Sequence, residues 1–174
     1  MNATIVFYSR TGNTCLIAES LADVLDATLI SIHPDNYYRG VLSAYIMGSL
    51  HALFRKSSPF ELSAPIPAHT DLLIVGSPVW SNRIAPPVRS FLSQHVQTRL
   101  VAFFSTGRQK SERCLKTMQY LVPNSAQVLA TSNFCFASGY SEAKLTMQVK
   151  DWAAAMRVTF NEKEFSDEKA TTKN

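Results

Sequence analysis

Thr4-Ile5-Val6-Phe7-Tyr8-Ser9-Arg10-Thr11-Gly12-Asn13-Thr14 joins two different residue patterns in one short stretch. Its first half is β-branched and aromatic, with apolar residues facing both ways, as in a strand covered on both sides of a parallel sheet. From Thr14 to Leu25 the period changes. Leu16, Ile17, Leu21, Val24 and Leu25 recur at helical spacing, and Glu19 and Asp23 fall between them toward solvent. Between strand and helix, Ser9, Thr11 and Thr14 offer hydroxyls and Gly12 allows a tight turn. The amides of residues 10 to 14 point at the start of the helix, where amides and helix dipole together favour an anion.

Outward from this unit the alternation continues. Thr28-Leu29-Ile30-Ser31-Ile32 is a second strand, closed by the turn residues His33-Pro34-Asp35-Asn36. Val41, Leu42, Tyr45, Ile46, Leu50 and Leu53 form a helical stripe between Tyr37 and Phe54, and Ser57-Ser58-Pro59 and Pro65-Ile66-Pro67 keep the following chain extended. Asp71 to Gly76 is the third and clearest buried strand, followed by a helix opened by Pro86 and Pro87, with Val88, Phe91 and Leu92 inward. Leu100 to Phe104 is a fourth strand and Cys114 to Leu121 lies in a helix. Val128-Leu129-Ala130, with Phe134 and Phe136 nearby, marks a fifth strand, and a last helix carries Leu145, Val149, Trp152 and Met156. Strand and helix alternating without internal repeats predict one α/β domain over residues 1–160, an open parallel sheet with helices on both faces. Ligands of such sheets bind beyond the carboxyl ends of the strands. Residues 161–174 are polar and charged, with Phe165 the one large apolar residue, and the expectation there is a disordered tail.

Composition narrows the function. The chain has 174 residues and 46% hydrophobic content, enough for one full core. Its net charge of +4 comes from scattered Lys and Arg rather than a basic run interleaved with aromatics, so no nucleic-acid partner is expected. Cys15, Cys114 and Cys135 have no C-x-x-C spacing and no nearby His at ligand distance, which disfavours both a disulfide framework and a metal site. His33, His51, His69 and His95 share no triad or metal spacing. No apolar run reaches the length of a membrane span, and Met1-Asn2-Ala3 leads directly into a strand, so the expected location is the cytoplasm.

The glycine turn after the first strand is selective. No Lys follows it as a triphosphate loop G-x-x-x-x-G-K-[ST] requires, and no G-x-G-x-x-G is present for a dinucleotide. Ser9 stands where a phosphatase loop would begin with Cys, and the acidic residues of a phosphoacceptor domain are missing after the strand. A monophosphate held mainly by neutral donors fits best. Gly12, Gly76, Gly107 and Gly139, four of only six glycines, fall at or just past the expected ends of strands one, three, four and five, marking one edge for tight turns or close ligand approach.

On these residues the chain resembles the flavodoxin family. Ser9-Arg10-Thr11-Gly12-Asn13-Thr14 matches the family's [ST]-x-T-G-N-T loop, and Gly76-Ser77-Pro78-Val79-Trp80 is similar to its second, ring-binding loop. The resemblance covers about residues 3 to 158. It implies a flavodoxin-like three-layer sandwich with a five-stranded parallel sheet in the order 2-1-3-4-5. It also implies flavin mononucleotide (FMN), its phosphate on Ser9 to Thr14 and its ring flanked by Ser77, Pro78, Val79, Trp80, Ser81 and Asn82 and by Ser105, Thr106, Gly107 and Arg108. No side chain is then catalytic in its own right, because the flavin carries the chemistry. Trp80 either stacks on the isoalloxazine or packs against the third helix, and Arg10 turns to the phosphate or outward to a partner.

Family members that act purely as electron carriers are commonly acidic with an aromatic residue in the third loop, whereas this chain has Ser105-Thr106-Gly107-Arg108-Gln109-Lys110. A cation such as Arg108 near the flavin N1 and C2 oxygen would stabilise an anionic reduced ring and favour hydride acceptance; the alternative is that it points to solvent. The expected function is an FMN oxidoreductase passing electrons from NAD(P)H or a protein donor to a quinone or similar acceptor. The alternatives are a one-electron carrier and a scaffold without flavin. The Tyr37 to Pro67 insertion, rich in aromatics and Arg, is a lid, a homodimer contact or core packing.

Overall fold

Alternating β-branched strands and amphipathic helices assemble as β1 (Ala3–Phe7), α1 (Asn13–Leu25), β2 (Thr28–Pro34), β3 (Phe60–Leu62), β4 (Leu72–Trp80), β5 (Arg83–Ile84), α2 (Pro86–Gln94), β6 (Leu100–Gly107), α3 (Glu112–Leu121), β7 (Gln127–Cys135) and α4 (Glu142–Thr171). The computed structural model describes residues 1–34, 59–137 and 141–171. The helix expected over Tyr37 to Phe54, His51, Gly139 and much of the Tyr37 to Pro67 insertion lie outside the described residues.

The sheet runs β3-β2-β1-β4-β6-β7, with β5 paired to β4 off this path. The pairs β1–β2, β1–β4, β4–β6 and β6–β7 are parallel. This is the expected α/β architecture, but the expectation of five strands, all parallel, needs correction. Two short strands are added, and both are antiparallel: β3 on β2 and β5 on β4. Neither carries a recognisable run of its own. Phe60-Glu61-Leu62 is too short to signal a strand and forms by pairing with Ile32, His33 and Pro34. β5 exists because the chain reverses at Ser81 and Asn82.

Successive strand residues point to opposite faces, and the central strands are apolar on both. Ile5, Phe7, Ile74 and Phe104 meet Ile17 and Leu21 of α1 and Val149, Met156 and Phe160 of α4. Val6, Val75 and Phe103 meet Val88 and Phe91 of α2 and Leu115 and Met118 of α3. Each such buried side chain contributes about 1.5–3 kcal/mol of transfer free energy, and together they fix three layers.

Gly76 belongs to this core rather than to a turn. It lies within β4, and a Cβ built there would collide with the Phe104 ring. Its missing side chain seats that ring, which also meets Phe134 and Trp152 edge-on at centroid separations of 6.0 and 6.3 Å. On the same side α1 ends at Asp26, whose φ of 53° is left-handed, and Arg157 of α4 donates to the carbonyl of Val24 at 2.7 Å. An Arg on the last carbonyls of a helix satisfies an acceptor the helix leaves open.

Over part of the expected disordered tail α4 continues through Asn161 to Thr171, and residues 172–174 lie outside the described residues. Extending a formed helix costs far less than starting one, and Glu, Lys and Ala propagate it well. Ser166 Oγ returns a bond to Glu162 O at 2.8 Å, and Lys169 Nζ lies 4.1 Å from the Phe165 ring centre.

Candidate functional site

β1 delivers the Ser9–Thr14 loop to the carboxyl edge of the sheet. Beyond Phe7, the Tyr8 amide still donates to Gly76 O at 3.2 Å, so the loop leaves from a fixed point beside β4. Gly12 then takes φ 91° and ψ −24°, a left-handed conformation that strains any residue with a Cβ. From that position its carbonyl accepts the first helical bond, from Leu16 N at 2.9 Å. No side chain caps this end of α1, and no acidic residue sits in its first turn. Its orphan amides and positive dipole end are therefore not neutralised by a carboxylate of that turn.

Two hydroxyls of the loop have different fates. Ser9 Oγ is buried and has no hydrogen-bond partner among the described residues. Such a group costs about 1–3 kcal/mol unless something supplies its bond. Thr14 is also buried, but its Oγ1 lies 2.7 Å from Thr106 Oγ1. It therefore ties the loop to β6, a role its place in the motif does not reveal. Thr11, Gly12 and Asn13 are exposed.

Residues 77–80, expected in a loop, extend β4 instead. Val79 and Trp80 pair with Ile84 and Arg83, and the turn between them uses Ser81 at φ 48° and Asn82 at φ 59°. Two successive positive φ values are the signature of a tight hairpin turn whose twist matches its strands. Trp80 is half-buried, edge-on to Tyr8 at 5.7 Å between centroids, and the Arg10 guanidinium sits 5.9 Å from its ring centre. Arg10 thus turns from the loop to the indole. Ser77 is buried and accepts from the Ala85 amide at 3.1 Å, bracing the hairpin base.

Ser105, Thr106 and Gly107 likewise close β6 rather than form a loop, and only Arg108 of that expected set is exposed beyond it. Ser105 Oγ donates to Asn133 Oδ1 at 2.6 Å, which also accepts from the Ser111 amide at 3.0 Å. Asn133 Nδ2 reaches Glu112 Oε1 at 3.2 Å. Ser111 Oγ donates to Asn82 Oδ1 at 2.6 Å and accepts from Cys114 N at 3.1 Å, capping α3. Asn82, Ser111 and Asn133 therefore clamp the hairpin tip, the start of α3 and β7 into one unit. Sequence reasoning missed Ser111 and Asn133. Ser111 was findable as a cap before Glu112, whereas Asn133 carries no local signal.

A cavity of about 410 Å³ lies on the β2 side of the loop, lined by Phe7, Ser9, Gly12, Cys15, Glu19 and His33 among others. None of residues 77–82 or 105–108 lines it. Partial burial raises the Cys15 thiol pKa, and its bond to Glu19 Oε1 at 3.2 Å, with that carboxylate's charge, adds to the effect. Burial pushes Cys114 up to about 12 against the smaller opposing effects of Ser77 and Arg89, so this thiol is an inert core group. No cluster of His, Cys, Asp or Glu among the described residues could hold a metal ion, and no described helix is long and apolar enough to cross a membrane.

No family model matches the chain, and no curated protein matches it. Solved structures do. A flavoprotein from Lactobacillus acidophilus, crystallised in complex with FMN, is 20% identical over 87% of this chain and 98% of its own, with a TM-score of 0.68. A protein provisionally termed a flavoprotein from Bacteroides uniformis is 19% identical over 87% and 96%, at 0.67. A flavodoxin from Streptococcus pneumoniae is 16% identical over 91% and 99%, at 0.55. The chain has the flavodoxin-like fold.

Proposed function

We propose that this chain binds FMN through the Ser9–Thr14 loop and serves as a flavin-dependent oxidoreductase. The observation that carries the reading is the buried, unpartnered Ser9 hydroxyl beside the left-handed Gly12 at an uncapped helix N-terminus. A phosphate monoester would give that hydroxyl an acceptor, and the first amides of α1 would meet the remaining oxygens. Similarity to a flavoprotein crystallised in complex with FMN supports the same ligand.

Bound FMN would supply the electron chemistry, and the chain would position and tune it. Ser9, Thr11, Gly12 and Asn13 would hold the phosphate, with Arg10 offering its backbone amide while its guanidinium stays on Trp80. The ring would lie against the edge made by Ser77, Pro78, Val79, Trp80, Ser81 and Asn82 and by Ser105, Thr106, Gly107 and Arg108. The Asn82–Ser111–Asn133 clamp keeps that edge rigid, so little ordering cost falls on binding. Thr14 acts indirectly by holding the loop to Thr106. Arg108 and Lys110 give the rim a positive sign, which suits an anionic reduced ring and transfer from NAD(P)H or a protein donor to a quinone-like acceptor.

Ser9→Ala tests the phosphate assignment. Deleting an unpartnered buried hydroxyl leaves the apoprotein as stable as before or more so. FMN affinity, measured by fluorescence quenching, should fall about tenfold, the loss of one hydrogen bond to a charged group. Riboflavin, which lacks the phosphate, should be unaffected. Equal loss for both ligands, or no quenching of FMN by the parent protein, overturns the assignment.

A further inference from the structure

Away from the phosphate loop, β5, α2 and α3 enclose a cavity of about 500 Å³ lined by Arg83, Arg89, Glu112, Arg113, Lys116, Thr117 and Tyr120. Four cations face one carboxylate, and that carboxylate already accepts from Asn133 Nδ2. The volume lies in the range of small-molecule sites, about 300–1,000 Å³.

The fold builds this concentration of charge deliberately into several elements. Arg83 and Arg89 are half-buried. On α3, Arg113, Lys116 and Tyr120 follow each other at spacings of three and four and share one face. Two cations at that spacing cost the helix a few tenths of a kcal/mol, about 0.2–0.5. Tyr120 beside them is 88% exposed, an aromatic face offered to solvent. Arg83 stands opposite Trp80 in the hairpin, and directly opposed residues share a sheet face. The cavity therefore starts at the rim of the edge assigned above to the ring.

We propose that this cavity binds the phosphates of an adenine nucleotide, with Arg83, Arg89, Arg113 and Lys116 on the phosphate oxygens and Tyr120 stacking on the base. Guanidinium forks match phosphate in bidentate geometry, and a concave, aromatic-edged pocket suits a nucleotide better than a flat acidic protein surface. A phosphorylated nicotinamide dinucleotide held there by its adenosine end would be the electron donor; that last role rests on the FMN reading, whereas the nucleotide site itself does not.

Isothermal titration calorimetry of the chain with 2′,5′-ADP tests the site without flavin chemistry. Binding is expected, stronger than for adenosine and weakened by salt. Arg113→Gln combined with Lys116→Gln, both exposed and away from the core, should weaken it at least tenfold, and Tyr120→Ala about threefold or more. Unaltered melting temperatures and unaltered FMN titrations of the same variants keep this result separate from the fate of the flavin site. No binding of 2′,5′-ADP, equal binding by the double variant, or a preference for poly-glutamate over the nucleotide overturns the proposal. FMN binding in the parent protein alongside any of those outcomes leaves the flavin reading standing.

Discussion

The Ser9–Thr14 loop and the two edges beside it, Ser77–Asn82 and Ser105–Arg108, were expected to be three loops around one ligand, the first for its phosphate and the others for its ring. Only the first is a loop. Its shape follows from neighbours in sequence: a strand ends, Gly12 turns left-handed, and α1 begins. The other two are strand ends held by partners far along the chain, Ser105 by Asn133 and Asn82 by Ser111. A local backbone device can be recognised in a short motif, while a cross-strand device cannot, because its partner is decided by the topology. The three regions should therefore respond differently to substitution.

The largest effect belongs to the cross-strand side. Gly76 looks like a ligand-edge glycine in sequence but seats the Phe104 ring in the structure. Gly76→Val should cost about 3 kcal/mol or more, at the upper end of overpacking penalties, because ring, strand and α4 would all have to shift. Urea unfolding measures it. A loss below about 1 kcal/mol would return Gly76 to the turn role its motif suggests.

Next is the bond that joins the two kinds of region. Thr14→Val and Thr106→Val, taken singly, each leave the other hydroxyl buried without its partner, at about 1–2 kcal/mol. The double variant removes both hydroxyls and should cost less than the sum, with a coupling of about 1 kcal/mol in a double-mutant cycle. Strict additivity would mean that Thr14 faces the ligand independently, as its motif position alone implies.

The same distinction explains how much of the molecule was legible. β1, β4, β6 and α1 through α3 were readable because their apolar period is carried in a few consecutive residues, whichever partner they meet. β3 and β5 were not, since three and two residues hold no period and exist only through pairing. The continuation of α4 past Phe160 was missed for a related reason: composition reports what a segment can bury, not that a neighbouring helix has already nucleated it. At the site, Gly12 was legible from backbone chemistry, but the Ser111–Asn133 and Thr14–Thr106 bonds join residues 22 and 92 positions apart.

The smallest effect separates two adjacent residues of the hairpin tip. Ser81 and Asn82 both have positive φ, at 48° and 59°, yet the two substitutions to Gly should differ in sign. Ser has no particular tolerance of the left-handed region, and relief of that strain, about 1 kcal/mol, exceeds the entropy Gly adds to the unfolded chain. Ser81→Gly should therefore stabilise by about 0.5 kcal/mol, a rise of a degree or two in Tm for a chain of this size. Asn already tolerates that region, so Asn82→Gly relieves little, and it removes the Oδ1 that accepts from Ser111 at 2.6 Å. It should destabilise by about 1 kcal/mol, the worth of one hydrogen bond. Calorimetric melting of both variants distinguishes the cases. A gain in both would show a turn governed by its own backbone, like the Gly12 loop; opposite signs would show a tip whose conformation is held from α3.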